Sequence, residues 1–378
     1  MKLAIISHTE HYKDANGSIV GWSPTVNEIN HLTRIFDEIY HVAMFIEGEA
    51  PPSVMSYNSD KIKFVPIPKV GGKTLFSKLN VIVNAPKIIN TVSKTLKKVD
   101  YFQLRTPTGI GVFLIPYLTY VSKKPGWFKY AGNWNQSNPP LGYKLQRSQL
   151  KKQSRPVTIN GQWDAQPPHC LTFENPCLNE ENIEEGNRIS ETKRIAEKVS
   201  FCYVGRLERE KGVERIINAF RSLNETAKTR VDKVHLVGDG FELDYFKTIA
   251  KDSGVNIVFH GYLAQQQVFD IYRKSHVFLM PTTASEGFPK VIAEAMNFRC
   301  IPVVSSVSSI SQYVLHKKNG YILPNVSNAS IVSALEYILT LSDSEYVELI
   351  SSIKSVVTKF TFKHYNHRII NDIINNIS

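Results

Sequence analysis

The chain has 378 residues, 42% of them hydrophobic and 21% charged, with a formal net charge of +11. That length exceeds what one hydrophobic core usually organises and suits two α/β domains of ordinary size. The apolar content excludes a disordered chain. The longest apolar stretch, Ile110 to Val121, is too short to span a bilayer and contains Pro116. The opening MKLAIISHTE enters a strand-like run without the apolar core and cleavage site of a secretory signal, so a cytoplasmic location is expected. Cys170, Cys177, Cys202 and Cys300 lack metal-ligand spacing and read as reduced core thiols.

Charge is unevenly spread. Between Lys61 and Arg155 stand eighteen basic residues against a single acid, Asp100, a local excess of +17 that leaves the remainder net acidic. An anionic partner is expected for this half.

In chain order, a strand is expected near Leu3 to Ser7, a helix from about Thr25 to Asp37 and a strand near Tyr40 to Ile46. A helical Leu75 to Lys98, a strand at Tyr101 to Leu104, a helical Thr108 to Tyr120, and strands near Trp127 to Tyr130 and Val157 to Asn160 continue this βαβ rhythm. The first domain is placed at 1–179. After the charged stretch Glu180 to Lys198, the runs FCYVG, VHLVG, NIVFHG, VFLMP and CIPVV restart the rhythm in a second domain, 180–360. Residues 361–378 suggest an amphipathic helix returning to the first domain. Open parallel sheets bind ligands beyond the carboxyl ends of their strands.

Two segments of the second domain carry chemistry. The first strand ends in Gly205 and offers Arg206 and Lys211 before a helix from Val213. A planar fork and a point charge suit the two phosphates of a nucleoside diphosphate, although Glu208, Arg209 and Glu210 also fit a solvated charged loop. In Ser285-Glu-Gly-Phe-Pro-Lys-Val-Ile-Ala-Glu-Ala-Met296, Pro289 suits a first helical turn, with Glu286 in the loop and Glu294 in the helix. Main-chain N–H groups of Gly287, Phe288, Lys290 and Val291 would face an anion, and carboxylates can accept from ribose or sugar hydroxyls. Capping by Glu286 and a solvated Glu294 are the plainer alternative.

In their order and spacing, GRLEREKG, HLVGDG, VFHGYL, EGFPKVIAE and NGYILP resemble glycosyltransferase family 4, over about Val199 to Pro324. The resemblance implies two Rossmann-like α/β domains facing across a cleft, the GT-B fold. It implies a retaining hexosyltransferase using a nucleoside-diphosphate sugar, a UDP- or GDP-sugar foremost, with no separate cofactor. By the same resemblance Arg206 and Lys211 hold the diphosphate, Glu286 contacts the donor sugar and Glu294 binds the ribose. Gly205 belongs to the donor loop, Gly287 and Phe288 offer main-chain contacts, and Gly261 and Tyr262 lie where the family places the nucleobase. A Gly-rich loop before the first helix corresponds to Asn16-Gly17 through Gly21, so Gly17 is a donor-contact candidate. Ser23-Pro24-Thr25 with Glu28 also reads there as helix-start chemistry.

The first domain departs from the family pattern. Many members have a histidine just after the strand that here reads Tyr101-Phe-Gln-Leu-Arg-Thr-Pro107, and this chain has Arg105 near that position. Arginine cannot be a base at neutral pH but can bind an acceptor phosphate or stabilise a leaving group. His8 and His11 are expected to face the same cleft. The family is thought to let the acceptor enter on the face the diphosphate leaves, the leaving phosphate assisting deprotonation. With no Asp-x-Asp motif, metal-independent transfer is expected.

The basic first half, with Leu75, Phe76, Leu79, Val81, Ile82, Ile88 and Ile89 among its lysines, suits peripheral attachment to the inner face of an anionic membrane as well as it suits a soluble lysine-rich coat. The expected acceptor is a glycan or a lipid-linked sugar in bacterial surface-polysaccharide synthesis. No nucleic-acid motif appears, so nucleic acid is not an expected partner. A sugar-nucleotide epimerase of the same fold is the alternative reaction.

Overall fold

The computed structural model describes residues 1–72, 74–195 and 197–377, and the main chain only of Leu75 and Phe76. Lys73 of the basic run and the side chains of Leu75 and Phe76 therefore lie outside the described residues. The chain divides into two compact units, Met1–Asn175 with Phe362–Ser378, and Pro176–Thr361.

In the first unit the described residues form a nine-stranded sheet. Its strands are β1 (Lys2–Lys13), β2 (Ile19–Trp22), β3 (Glu38–Phe45), β4 (Val54–Ser56), β5 (Ile62–Ile67), β6 (Tyr101–Thr106), β7 (Gly126–Tyr130), β8 (Val157–Ile159) and β9 (Cys170–Thr172). Seven run parallel in the order β5, β3, β1, β6, β7, β8, β9, while β2 and β4 add an antiparallel extension to the far half of β1. Both faces are covered, so β1 is apolar on both sides. Ala4 and Ile6 join a core with Val42, Leu104 and Phe128. Leu3 and Ile5 face the opposite way, toward Ile29, Leu32 and Phe36, and toward Tyr365, Ile369 and Ile373 of the C-terminal segment.

Several local expectations shift. The first strand runs on to Lys13 and turns back through a hairpin, because Asp14 accepts the N–H groups of Asn16 and Ser18 and Gly17 takes a positive φ of 78°. The next helix spans Ser23–Leu32, and its cap residue Trp22 makes no side-chain cap. The long helical stretch breaks at Asn84 into Leu75–Val83 and Ala85–Leu96, with Pro86 in the first turn of the second piece, where a missing N–H costs least.

Glu28 is not helix-start chemistry. Its side chain is buried and Oε1 meets two cations, Arg105 Nη2 at 2.7 Å and Lys129 Nζ at 2.6 Å. Lys129 also donates to the Tyr365 hydroxyl at 3.2 Å, tying the C-terminal segment to the sheet. Removing one partner of a buried ion cluster strands the remaining charges. Glu28→Ala should therefore cost about 3–5 kcal/mol, read as a lowered urea midpoint, and a loss under about 1 kcal/mol would contradict the triad's role.

In the second unit the described residues form a six-stranded, wholly parallel sheet. Its strands are β10 (Val199–Val204), β11 (Val231–Val237), β12 (Ile257–Gly261), β13 (Val277–Met280), β14 (Ile301–Ser305) and β15 (Tyr321–Leu323). The spatial order is β12, β11, β10, β13, β14, β15. Chain direction through the sheet reverses between β10 and β13, which places a crevice beyond their carboxyl ends. In the first unit the corresponding reversal falls between β1 and β6. The charged stretch from Glu180 is a helix, Glu180–Thr192, capped reciprocally by Asn179 and Asn182.

Candidate functional sites in the two units

The loops after β10 and β13 meet at the reversal point of the second unit. Gly205 donates its N–H to the Val237 carbonyl at 3.0 Å, and the Tyr203 hydroxyl donates to the Arg206 carbonyl at 2.7 Å, fixing the start of the first loop. A short 3₁₀ turn, Arg209–Lys211, ends at Gly212 with φ 98°, and a β-carbon there would lie 2.5 Å from the Pro281 carbonyl oxygen. Glycine is therefore required for the two loops to approach this closely. The Glu210 carbonyl accepts from Thr283 N–H at 2.8 Å and from the Thr282 hydroxyl at 3.1 Å, completing the join.

This geometry brings Lys211 and Glu286 together, Nζ to Oε1 at 2.6 Å, with the lysine side chain 11% and the carboxylate 33% exposed. Arg206 behaves differently. Its side chain is 69% exposed and paired with Glu208 at 2.7 Å. Lys211 is thus held in place, whereas Arg206 stands in solvent beside the same loop.

The helix of the second motif begins at Lys290, with Pro289 as its cap residue, and runs to Asn297. Its first-turn N–H groups have no preceding helical carbonyls, which suits an anion. Gly287 is buried, and the Phe288 ring turns inward, stacked on Phe360 at 4.6 Å, so main-chain groups are what these residues can offer a ligand. Lys290 and Val291 occupy the first turn and Glu294 the second. Burial pushes the Glu294 carboxyl up to about 7, opposed by the Lys290 charge and a hydrogen bond with Gln265. Burial thus outweighs the partners that favour the charged form, and hydroxyl donors from a ligand would add to them. Gly261 ends β12 at φ 68° with nothing within 4 Å of where a β-carbon would stand, and Tyr262 beside it is exposed. All four cysteines are free and buried, and among the described residues no group of three or more His, Cys, Asp or Glu side chains could hold a metal ion.

The first unit holds a cavity of about 1350 Å³ at its own reversal point. A register shift between Ile6 and Glu10 takes Ser7, His8 and Thr9 out of the ladder with β3, and all three line this cavity. Arg105 lines it too, with its guanidinium held by Glu28 and by the Gln103 side-chain oxygen at 3.1 Å. Val81, Ile82, Val112, Phe113 and Leu141 make much of the remaining wall apolar.

One expectation for this unit is corrected. His8 lines the cavity, hydrogen-bonded to the Val70 carbonyl at 2.7 Å, but His11 is fully buried against Phe64 and Tyr57. Burial lowers the His11 imidazole to about 4, so it is neutral at pH 7. Gly17 sits at the hairpin tip with nothing within 4 Å of a β-carbon position and does not line the cavity. Its positive φ suits the hairpin turn.

Sequence reasoning missed the pairing of Glu28 with Lys129. The one available signal was a lysine inside the otherwise apolar strand β7, which needs a buried partner. The carboxyl of Glu294 should show a midpoint near pH 7 by carbon-13 NMR of the ligand-free protein, and a midpoint in the ordinary range near 4.5 would overturn the burial argument.

Residues 185–355 match the family model described as glycosyl transferases group 1, so the second unit carries a domain of that kind. The lipopolysaccharide 1,2-N-acetylglucosaminetransferase of Salmonella typhimurium is 26% identical over 200 residues, half of this chain and half of that protein. The lipopolysaccharide 1,6-galactosyltransferase of the same organism is 34% identical over 109 residues, 28% of this chain and 29% of that protein. The chain thus spans about half the length, or less, of these curated relatives. The crystal structure of Anabaena HepE in complex with UDP aligns with 98% of this chain and 99% of its own at a TM-score of 0.70 and 14% identity. At that identity the likeness shows the fold, two Rossmann-like α/β units of the GT-B type.

Proposed function

We propose that this protein is a retaining, metal-independent hexosyltransferase that moves a sugar from a nucleoside-diphosphate donor to a hydroxyl of a glycan or lipid-linked acceptor in bacterial surface-polysaccharide synthesis. The observation that carries the reading is the Lys211–Glu286 pair, held at 2.6 Å beyond the reversing strands of the group 1 domain. The lipopolysaccharide transferases among its relatives support the acceptor class, and the UDP complex of HepE supports a UDP-sugar over a GDP-sugar.

In this reading Lys211 and the solvent-facing Arg206 receive the diphosphate, with the first turn from Lys290 supplying N–H groups. Such fixed donors act where charge develops on the departing phosphate, usually the largest catalytic contribution. Glu286, already paired to Lys211, accepts from donor-sugar hydroxyls, and Glu294 accepts from the ribose. Neither serves as an acid–base pair. The leaving phosphate takes the acceptor proton on the face it departs from.

Calorimetry with UDP tests the donor half. Lys211→Ala should weaken binding by about 10- to 100-fold, the loss of a charge-assisted contact, whereas unchanged affinity contradicts the assignment. Because ribose hydroxyls favour the ionised carboxylate, UDP binding should release a proton from Glu294 and weaken as pH falls from 8 to 6. Glu294→Gln should remove that share of the pH dependence, and an identical profile in the variant counts against the ribose contact.

Membrane attachment forms part of the proposal. On the helices Leu75–Val83 and Ala85–Leu96, Leu79, Ile82 and Val83 are exposed, and so are Lys78, Lys87 and Lys94. Exposed apolar and basic side chains together suit an anionic lipid surface. Among the described residues no helix is long and apolar enough to cross a membrane. The protein should co-sediment with phosphatidylglycerol vesicles and much less with phosphatidylcholine ones, and equal behaviour toward both would rule out the electrostatic part.

A further inference from the structure

The His8 ring is held at the wall of the first-unit cavity by main chain rather than by charge. It belongs to the stretch Ser7 to Thr9 that leaves the ladder with β3, and it is half-buried. Its Nε2 lies 2.7 Å from the Val70 carbonyl oxygen. The ring packs on Gly71, whose φ is 90° and where a β-carbon would stand 2.8 Å from His8 Cε1 and 3.3 Å from Nε2. A side chain at 71 would displace the ring, so glycine lets the imidazole close on the main chain. Gly109 is a further neighbour, its β-carbon position 3.7 Å from Cε1.

The bond to Val70 assigns the ring proton. A carbonyl oxygen only accepts, so Nε2 carries the N–H. Burial lowers the imidazole below its ordinary range, with the Val70 hydrogen bond and the Glu10 charge acting against it, so the ring is neutral at pH 7. A neutral imidazole has one N–H, which leaves Nδ1 as a bare lone pair. Among the described residues Nδ1 has neither a hydrogen-bond partner nor full burial. The open space that His8 borders is the cavity, so the lone pair is available to a donor from a ligand there.

We infer that His8 Nδ1 accepts a hydrogen bond from a hydroxyl of the acceptor, which makes His8 a specificity residue favouring a hydroxyl over a phosphate or carboxylate oxygen at that point of the cavity. An anionic oxygen would set lone pair against lone pair unless the ring took up a proton, which burial opposes. The other titratable groups on the wall are Glu10, Tyr12, Lys78, Arg105 and Tyr143. Arg105 would attract an anion, but its guanidinium is engaged by Glu28 and Gln103. Lys78 is exposed, where solvent screens its charge, and Glu10 opposes an anion outright. The apolar side chains Val112, Phe113 and Leu141 complete a site for an amphipathic hydroxyl compound. His8 orients the ligand, and the proton of the reacting hydroxyl still leaves with the departing phosphate. The inference deepens the acceptor half of the proposed function and rests on the cavity being the acceptor site.

Nitrogen NMR and ligand titration test it together. Long-range proton–nitrogen spectra of the full chain with nitrogen-15 histidine, the His8 signals being those lost in His8→Phe, should show an Nε2–H ring at pH 7, and an Nδ1–H ring overturns the inference. Titration with octyl β-D-glucoside below its micellar concentration should move the Nδ1 resonance upfield and leave Nε2 in place. Saturation with Nδ1 unmoved, or no saturable binding, contradicts the assignment. His8→Phe keeps a ring without the lone pair and should weaken the glucoside by about 3- to 10-fold, as for one neutral hydrogen bond. His8→Gln, which retains an amide N–H for Val70 and an oxygen as acceptor, should recover most of that loss. Equal glucoside affinity in wild type and His8→Phe overturns the contact. Octyl phosphate should bind more weakly than the glucoside, and tighter binding with both ring nitrogens protonated would make His8 an anion contact instead. UDP titrated into the same samples separates the outcomes. Glucoside on Nδ1 without UDP binding would sink the transferase reading and leave the His8 inference standing, and UDP binding without the Nδ1 contact would do the reverse.

Discussion

Each unit grows its parallel sheet in both directions from its first strand, and that reversal is the constraint on which both sites depend. Helices after successive strands must cover opposite faces, so the loops beyond the reversing pair diverge and leave a crevice. In the second unit the pair is β10 and β13, whose loops carry Lys211 and Glu286. In the first it is β1 and β6, whose ends supply Ser7, His8, Thr9 and Arg105. One topological rule thus accounts for the location of two chemically different sites.

Those differences lie in how buried charge is partnered. Lys211 shares its carboxylate with no other cation at hydrogen-bond distance among the described ion pairs, and Glu286 remains one-third exposed, so both retain capacity for a ligand. Arg105 and Lys129 converge instead on one carboxylate oxygen of Glu28, deep beside the sheet. The second arrangement locks a helix, two strands and the C-terminal segment together and leaves Arg105 at the cavity as a held group. At the cavity wall it presents a positive edge held in place by its carboxylate partner.

Much of the second unit could be read from the chain alone, because strands buried on both faces appear as uninterrupted apolar runs. FCYVG, VHLVG and VFLMP correspond to β10, β11 and β13. Short strands such as β2, β4 and β9 carry too few residues to show a period. The polar helix Leu141–Lys152 buries only Gln146 and Leu150 and shows little pattern. The pairing of Glu28 with Lys129 spans 101 positions and leaves no local trace. The motif glutamates were legible because loop and helix spacing is local, whereas the near-neutral carboxyl of Glu294 depends on burial that only the folded unit creates.

The central claim is that the second unit holds a nucleoside diphosphate between the β10 and β13 loops. A crystal structure of the protein with UDP tests it most directly. The account predicts diphosphate oxygens within hydrogen-bond reach of Lys211 and Arg206, with the ribose hydroxyls on Glu294. Diphosphate bound instead to the lysine-rich surface of the first unit, with Glu294 unoccupied, would contradict it.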